Sequence, residues 1–287
     1  MTDALAERFI LRFSCRDEVG IVADVAGFLA ARKLFIIETA NFGDPNTGLF
    51  FMRTVFTPRE GFTTTAFCRE FGALAEKWSM DWELRDARAK PNVLVLVSKQ
   101  DHCLNDLLYR HRIGALAMNV TAIVSNHPTC GWLAERHGIP FYHIPVDRDG
   151  KEAAETRLLE LVNAMKVDLV VLARYMQVLS DRACQSLAGH CINIHHSFLP
   201  GFKGAAPYTQ AFNRGVKLIG ATAHYVTADL DEGPIIAQAV ERATHAHSSE
   251  EMAAVGRDIE ARVLASAVKL HLEGRIFLNG SKTIVLD

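Results

Sequence analysis

Three nearly continuous aliphatic runs, Val93 to Val97, Ala122 to Val124 and Leu169 to Leu172, are separated by stretches with helical periodicity. A strand that is apolar at almost every position has no solvent face, so it belongs in a sheet covered on both sides. Alternation of such strands with helices predicts an α/β domain with a mostly parallel, Rossmann-like sheet and helices on both faces. A last long helix is expected to start at the capping box Ser248 with Glu251. It carries Met252, Val255, Ile259, Val263, Ala267 and Leu270 along one side and ends before Gly274.

The residues before this domain follow a different pattern. Phe9 to Asp86 read as strand, helix, strand, strand, helix, strand, which predicts a ferredoxin-like α+β domain: an antiparallel sheet covered on one face by two helices. Ile21, Val25, Phe28 and Leu29 share one helical face, as do Phe67, Phe71, Leu74 and Trp78. Ile36 to Phe42 and Leu49 to Phe56 form a hairpin around the turn-forming string from Gly43 to Gly48. The polar stretch ending in Pro91 is the linker candidate. The expected domains are therefore residues 1–87 and 92–287, with a linker at 88–91.

Length agrees with two cores, since 287 residues exceed what one ordinary domain needs. A net charge of −2 and the lack of Lys/Arg runs interleaved with aromatics leave no footprint for nucleic acid or an anionic membrane. The N-terminus lacks the basic flank and apolar run of a secretory signal, and no stretch approaches a membrane span. Six scattered cysteines without a C-x-x-C pair argue against a zinc knuckle or disulfide framework, and the expected location is cytoplasmic.

Chemistry concentrates in two segments. In CINIHHSFLPGFKGAAPY, strand alternation puts Asn193 and His195 on one face and Ile192 and Ile194 on the other. His196 then falls opposite His195 and is expected to be structural. The pair sits at the carboxyl end of its strand, where open parallel sheets bind ligands. In GATAHYVTADLDEGPI, the strand Ala221 to Val226 runs into a loop with Asp229, Asp231 and Glu232. An amide and an imidazole can stabilise an oxyanion, and a carboxylate can accept a proton from the attacking water and orient it, or hold the imidazole protonated.

Together these segments resemble the folate-dependent formyltransferase family, in which Asn-x-His on a strand is joined by an Asp on a later loop. The match here is Asn193, His195 and Asp231, with His224 in support, over about residues 92 to 287. The resemblance implies that the backbone at Met176, Gln177, Val178 and Leu179, in DLVVLARYMQVLS, grips the folate head ring. In the N-terminal part, CRDEVGIVADVAGFLA resembles the turn of the ACT domain, with Val19 where that family often has Pro. That resemblance implies an amino-acid effector or subunit interface at Asp17, Gly20 and Ile21, and a homo-oligomer, dimer or tetramer.

Which acceptor takes the formyl group is read from the loop after the first strand of the second domain. Relatives that use a ribonucleotide place a Gly-rich phosphate cradle there, whereas this chain has VSKQDHCLNDLL, without glycine and with Asp101 in the way. No basic surface suits a tRNA, which leaves water. Nearly the whole chain then resembles the formyltetrahydrofolate deformylase family, with NIHHSFLP, GATAHYV and LDEGPII matching. The resemblance implies hydrolysis of 10-formyltetrahydrofolate to tetrahydrofolate and formate, adjusting the one-carbon folate pool and supplying formate for purine synthesis. It implies no permanently bound cofactor, no metal, and a folate substrate. Ala206 and Thr209 depart from the Arg and His expected of that family.

Three rival readings stay open on sequence alone. One is a metal hydrolase using His195, His196 and Asp231. Another is a formyltransferase to an amine such as glycinamide ribonucleotide. The third is a non-catalytic folate or amino-acid sensor.

Overall fold

The computed structural model describes residues 7–147, 150–201 and 207–287. They form two units, the first taking in the chain up to Ala89 together with Glu273–Asp287, the second Lys90–Leu272.

In the first unit the order is β1 (Phe9–Arg16), α1 (Ile21–Ala31), β2 (Phe35–Asp44), β3 (Leu49–Thr57), α2 (Thr64–Lys77) and β4 (Asp81–Asp86). The strands pair antiparallel in the order β2-β3-β1-β4, the ferredoxin-like arrangement. Alternation in β1 sends Phe9, Leu11, Phe13 and Cys15 into the core beside Ile21, Val25 and Leu29 of α1 and Phe67 and Phe71 of α2. Phe56 and Phe67 stack with ring centroids 5.4 Å apart, a contact that adds about 1 kcal/mol to burial. Helix α2 starts on Thr63, whose hydroxyl accepts from the Ala66 N–H. Helix α1 starts on Gly20 at φ 107°, a left-handed conformation that strains any residue with a side chain.

In the second unit follow β5 (Asn92–Val97), α3 (His102–Arg112), β6 (Asn119–Ser125), α4 (Gly131–Arg136) and β7 (Phe141–His143). After these come α5 (Lys151–Ala164), β8 (Leu169–Leu172), α6 (Asp181–Ser186), β9 (Cys191–His195) and α7 (Pro207–Arg214). The last are β10 (Leu218–Tyr225), β11 (Ile235–Arg242) and α8 (Ser249–Leu272). The sheet order is β11-β10-β9-β8-β5-β6-β7. Strands β5 to β9 are parallel, while β10 and β11 run antiparallel at one edge. From β5 the chain moves one way through β6 and β7, then returns to the other side for β8 and β9. The carboxyl ends of β5 and β8 thus flank the reversal, where a crevice opens in such sheets. The capping box at the head of α8 forms as expected: the Ser248 N–H donates to Glu251, and the Glu251 N–H to the Ser248 hydroxyl.

The C-terminal stretch differs from the expected 92–287 domain. After Gly274 the chain forms a hairpin, β12 (Ile276–Asn279) and β13 (Lys282–Val285), that groups with the first unit. Phe277 and Leu286 pack on Phe51 of β3, so part of the second face of the first sheet is covered as well. Buried Arg53 donates to the Glu273 carbonyl at 2.9 Å and pairs with Glu38. All six cysteines are free, and no described helix is long and apolar enough to cross a membrane.

Candidate active site

Strand β9 brings Asn193 and His195 to its carboxyl end, and β10 runs antiparallel beside it with His224 opposite Asn193. The loop after β10 then folds back over these groups. Gly233 makes the return possible, because a Cβ there would lie 1.7 Å from the Tyr225 carbonyl oxygen. Asp231, two residues earlier, is held at φ 56°. A non-glycine residue in that region costs of order 1 kcal/mol or more and persists only where its surroundings impose it. The result is one cluster in which His195 Nδ1 lies 3.2 Å from Asp231 Oδ1 and Asn193 Nδ2 lies 3.2 Å from His224 Nε2.

Hydrogen bonding fixes the roles of the rings. His224 Nδ1 is 2.9 Å from the Tyr225 carbonyl, which only accepts, so Nδ1 carries the proton. In the neutral ring Nε2 then accepts from the Asn193 amide and orients it, leaving the amide's second N–H available. His195 donates from Nδ1 to Asp231, while its Nε2 is buried without a hydrogen-bond partner among the described residues. Burial works against the charge of Asp231. The hydrogen bond from His195, the proximity of His224 and the charge of both rings outweigh it and hold the carboxyl well below the usual carboxylate range. Asp231 is thus an anion that accepts from His195 Nδ1.

A cavity of about 210 Å³ connects this cluster to the proposed folate segment. Its walls include Asn193, His195, His224 and Asp231 on one side and the whole run from Arg174 to Leu179 on the other. Met176 and Val178 are exposed, whereas the Leu179 side chain belongs to the core. The Met176 N–H is engaged by the Ser98 hydroxyl at 2.9 Å, so it is not free to hold a ligand. No hydrogen bond within the described residues engages the backbone of Gln177 or Val178.

Behind this cavity is a polar network that the sequence reading missed. Glu260, buried on the inner face of α8, accepts from Tyr208 at 2.6 Å, lies 2.8 Å from His102 and sits 3.4 Å from Arg174. Burial raises the carboxyl, but His102, Arg174 and Tyr208 together keep it below its ordinary value. Gln100 accepts from Arg174 at 2.8 Å. The loop where ribonucleotide users are expected to cradle phosphate is thereby tied to Arg174 and Glu260. A glutamate within an apolar helical face, at Gly256-Glu260-Val263-Ala267, was the available signal.

His196 corrects an expectation. The strand ends at His195, alternation stops there, and the His196 ring stacks on that of His195 with centroids 5.0 Å apart. Both rings line the same cavity. As for the other expected residues, Asp17 and Gly20 lie exposed at the β1–α1 turn, and Ile21 is core. Thr209 is exposed on α7, 3.3 Å from the Ser249 hydroxyl, and Ala206 lies outside the described residues. Among the described residues the group with metal-ligand spacing is His102, Cys103 and Glu260, not the His195, His196 and Asp231 set. The Arg174 cation beside Glu260 makes that group a poor cation site.

A family model described as formyl transferase matches residues 91–268. A formyltetrahydrofolate deformylase from Corynebacterium sp. strain P-1 is 48% identical over 280 residues, covering 97% of this chain and 98% of that one. The crystal structure of formyltetrahydrofolate deformylase from Burkholderia mallei superposes with a TM-score of 0.94 at 50% identity, over 98% of this chain and all of that one. Glycinamide ribonucleotide transformylase 1 from Symbiobacterium toebii matches over 69% of the chain only, at 32% identity and a TM-score of 0.65. Similarity to the deformylases thus spans both units, and the chain belongs to the formyltetrahydrofolate deformylase family.

Proposed function

We propose that this chain, as a family member, hydrolyses 10-formyltetrahydrofolate to tetrahydrofolate and formate through the Asn193, His195, His224 and Asp231 cluster. The folate head ring occupies the cavity against Gln177 and Val178, with the formyl group toward β9. As water adds to the formyl carbon, negative charge develops on its oxygen. Asn193, oriented by His224, and His195, backed by Asp231, donate to that oxygen. Such donors act strongly in a site shielded from water, and losing one costs about 100-fold to 1000-fold in rate.

The observation that carries this reading is the convergence of those four side chains on one wall of a cavity whose other wall is the 174–179 loop. The reading needs no permanently bound cofactor and no metal. In the first unit the β1–α1 turn at Asp17, Gly20 and Ile21 is the proposed effector or subunit contact of a homo-oligomer.

The test is formate release from 10-formyltetrahydrofolate by purified protein with no second substrate, with and without EDTA. Asn193→Ala, His195→Ala and Asp231→Asn should each abolish most turnover in folded protein. Turnover that depends on an added amine, or on a metal that EDTA removes, would overturn the reading.

A further inference from the structure

We propose that His196 is a further catalytic residue, taking a proton from the attacking water and returning it to the folate nitrogen that departs. This rests on the site described above, in which Asp231, the carboxylate read as able to take the water's proton, is already engaged by His195. Among the groups lining the cavity, Arg174 is a cation and Asn193 an amide. His224 uses one ring nitrogen on Tyr225 and the other on Asn193. His195 uses Nδ1 on Asp231 and needs Nε2 for the oxygen. Asp231 already accepts from His195, and Asp229 is exposed.

His196 has the position that the task requires. It lines the 210 Å³ cavity and also a second one of about 370 Å³, walled by Gln100, Arg174, Tyr208, Ser249, Arg257 and Glu260. Solvent in the second cavity therefore borders the same imidazole that borders the formyl site. No group among the described residues hydrogen-bonds to the ring. Burial, then the Arg174 cation and His195, push its pKa down to about 4, against opposing effects of Glu260 and Asp231. The ring is neutral near pH 7 and open to a proton.

The step balances as follows. The water oxygen bonds to the formyl carbon while one of its protons moves to His196, and the carbonyl electron pair moves to the oxygen held by Asn193 and His195. The carbon–nitrogen bond then breaks, and the nitrogen takes the proton from His196. Tetrahydrofolate and formic acid leave, and the acid ionises in solvent.

His196→Ala and His196→Gln test this in the full chain, the second keeping bulk and polarity without basicity. Both should lose about 100-fold in kcat, the usual scale for a lost general base, with KM for the formyl folate little changed. Added imidazole should restore part of the kcat of His196→Ala, which it would not do for a structural role. The proposal is overturned if either variant stays within about threefold of the wild type, if imidazole restores nothing, or if the loss is in KM alone. Asn193→Ala run alongside separates the failures: if it is dead while the His196 variants are active, only the base is lost.

Discussion

His195 Nδ1 and His224 Nε2 lie 3.2 and 3.7 Å from the same oxygen, Oδ1 of Asp231. Only the first is within hydrogen-bond distance; the second is a longer contact. One carboxylate oxygen thus fixes the tautomer of one ring and biases the other, and it sits on a residue whose backbone is itself constrained at φ 56°. The geometry of the two imidazoles and the Asn193 amide follows from the placement of that one loop residue.

Asp231 should also leave a signature in stability. Its folded pKa is depressed below the ordinary aspartate value of 3.8, so the stabilisation is fully present above that value and is lost as pH falls toward the folded pKa. Asp231→Asn is expected to be less stable than the wild type at pH 7, and the gap should narrow below about pH 4. Urea midpoints for both proteins at the two pH values measure this. A gap independent of pH would mean that the carboxylate is not held by the two imidazoles.

Gly233→Ala tests the loop that carries Asp231. The added methyl meets the Tyr225 carbonyl at 1.7 Å, and neither backbone segment can yield without breaking the bond from the Tyr225 N–H to the Pro234 carbonyl. A loss of about 2–4 kcal/mol is expected. Formate release should fall with it, because the loop no longer presents Asp231 to His195. Denaturant unfolding and kcat on the same preparation check both parts, and full activity would show that the loop can move without cost.

Glu260→Ala should cost more than Glu260→Gln. Removing the carboxylate leaves Arg174, buried and with one nitrogen already without a partner among the described residues, as an uncompensated cation, which costs about 3–5 kcal/mol. Glutamine keeps an acceptor for Tyr208 and Arg174 and should recover part of that. Thermal melting of the two variants against the wild type decides it; equal losses would mean that the charge on Glu260 is immaterial.

Much of this architecture was legible from residue patterns. Val93 to Val97 and Leu169 to Leu172 announced a doubly covered sheet because a strand with no polar face has nowhere else to go. Asn193 and His195 were legible as a pair because strand alternation governs both. The same rule failed one residue later, at His196, because the strand had ended and loop geometry set the ring's direction. Glu260 escaped because its charge is satisfied by Arg174, His102 and Tyr208, residues distant in sequence whose meeting is a tertiary event. Residues 273–287 escaped for a similar reason: a short hairpin says nothing about which sheet it will cover.

That hairpin supplies the last expectation. Phe277 is buried with its ring 5.5 Å from Phe51, and Arg12 donates to the Ile276 carbonyl at 2.6 Å. Phe277→Ala removes an aromatic side chain from a small cluster whose other buried members among the described residues are Phe51 and Leu286. Truncations of this kind cost about 3–5 kcal/mol. If the C-terminal residues are part of the first unit, the loss should be local, and amide exchange should accelerate first in β3, at Phe51 and its neighbours, while β9 and β10 keep their protection. Faster exchange in β9 and β10 with β3 unchanged would assign the hairpin to the second unit instead.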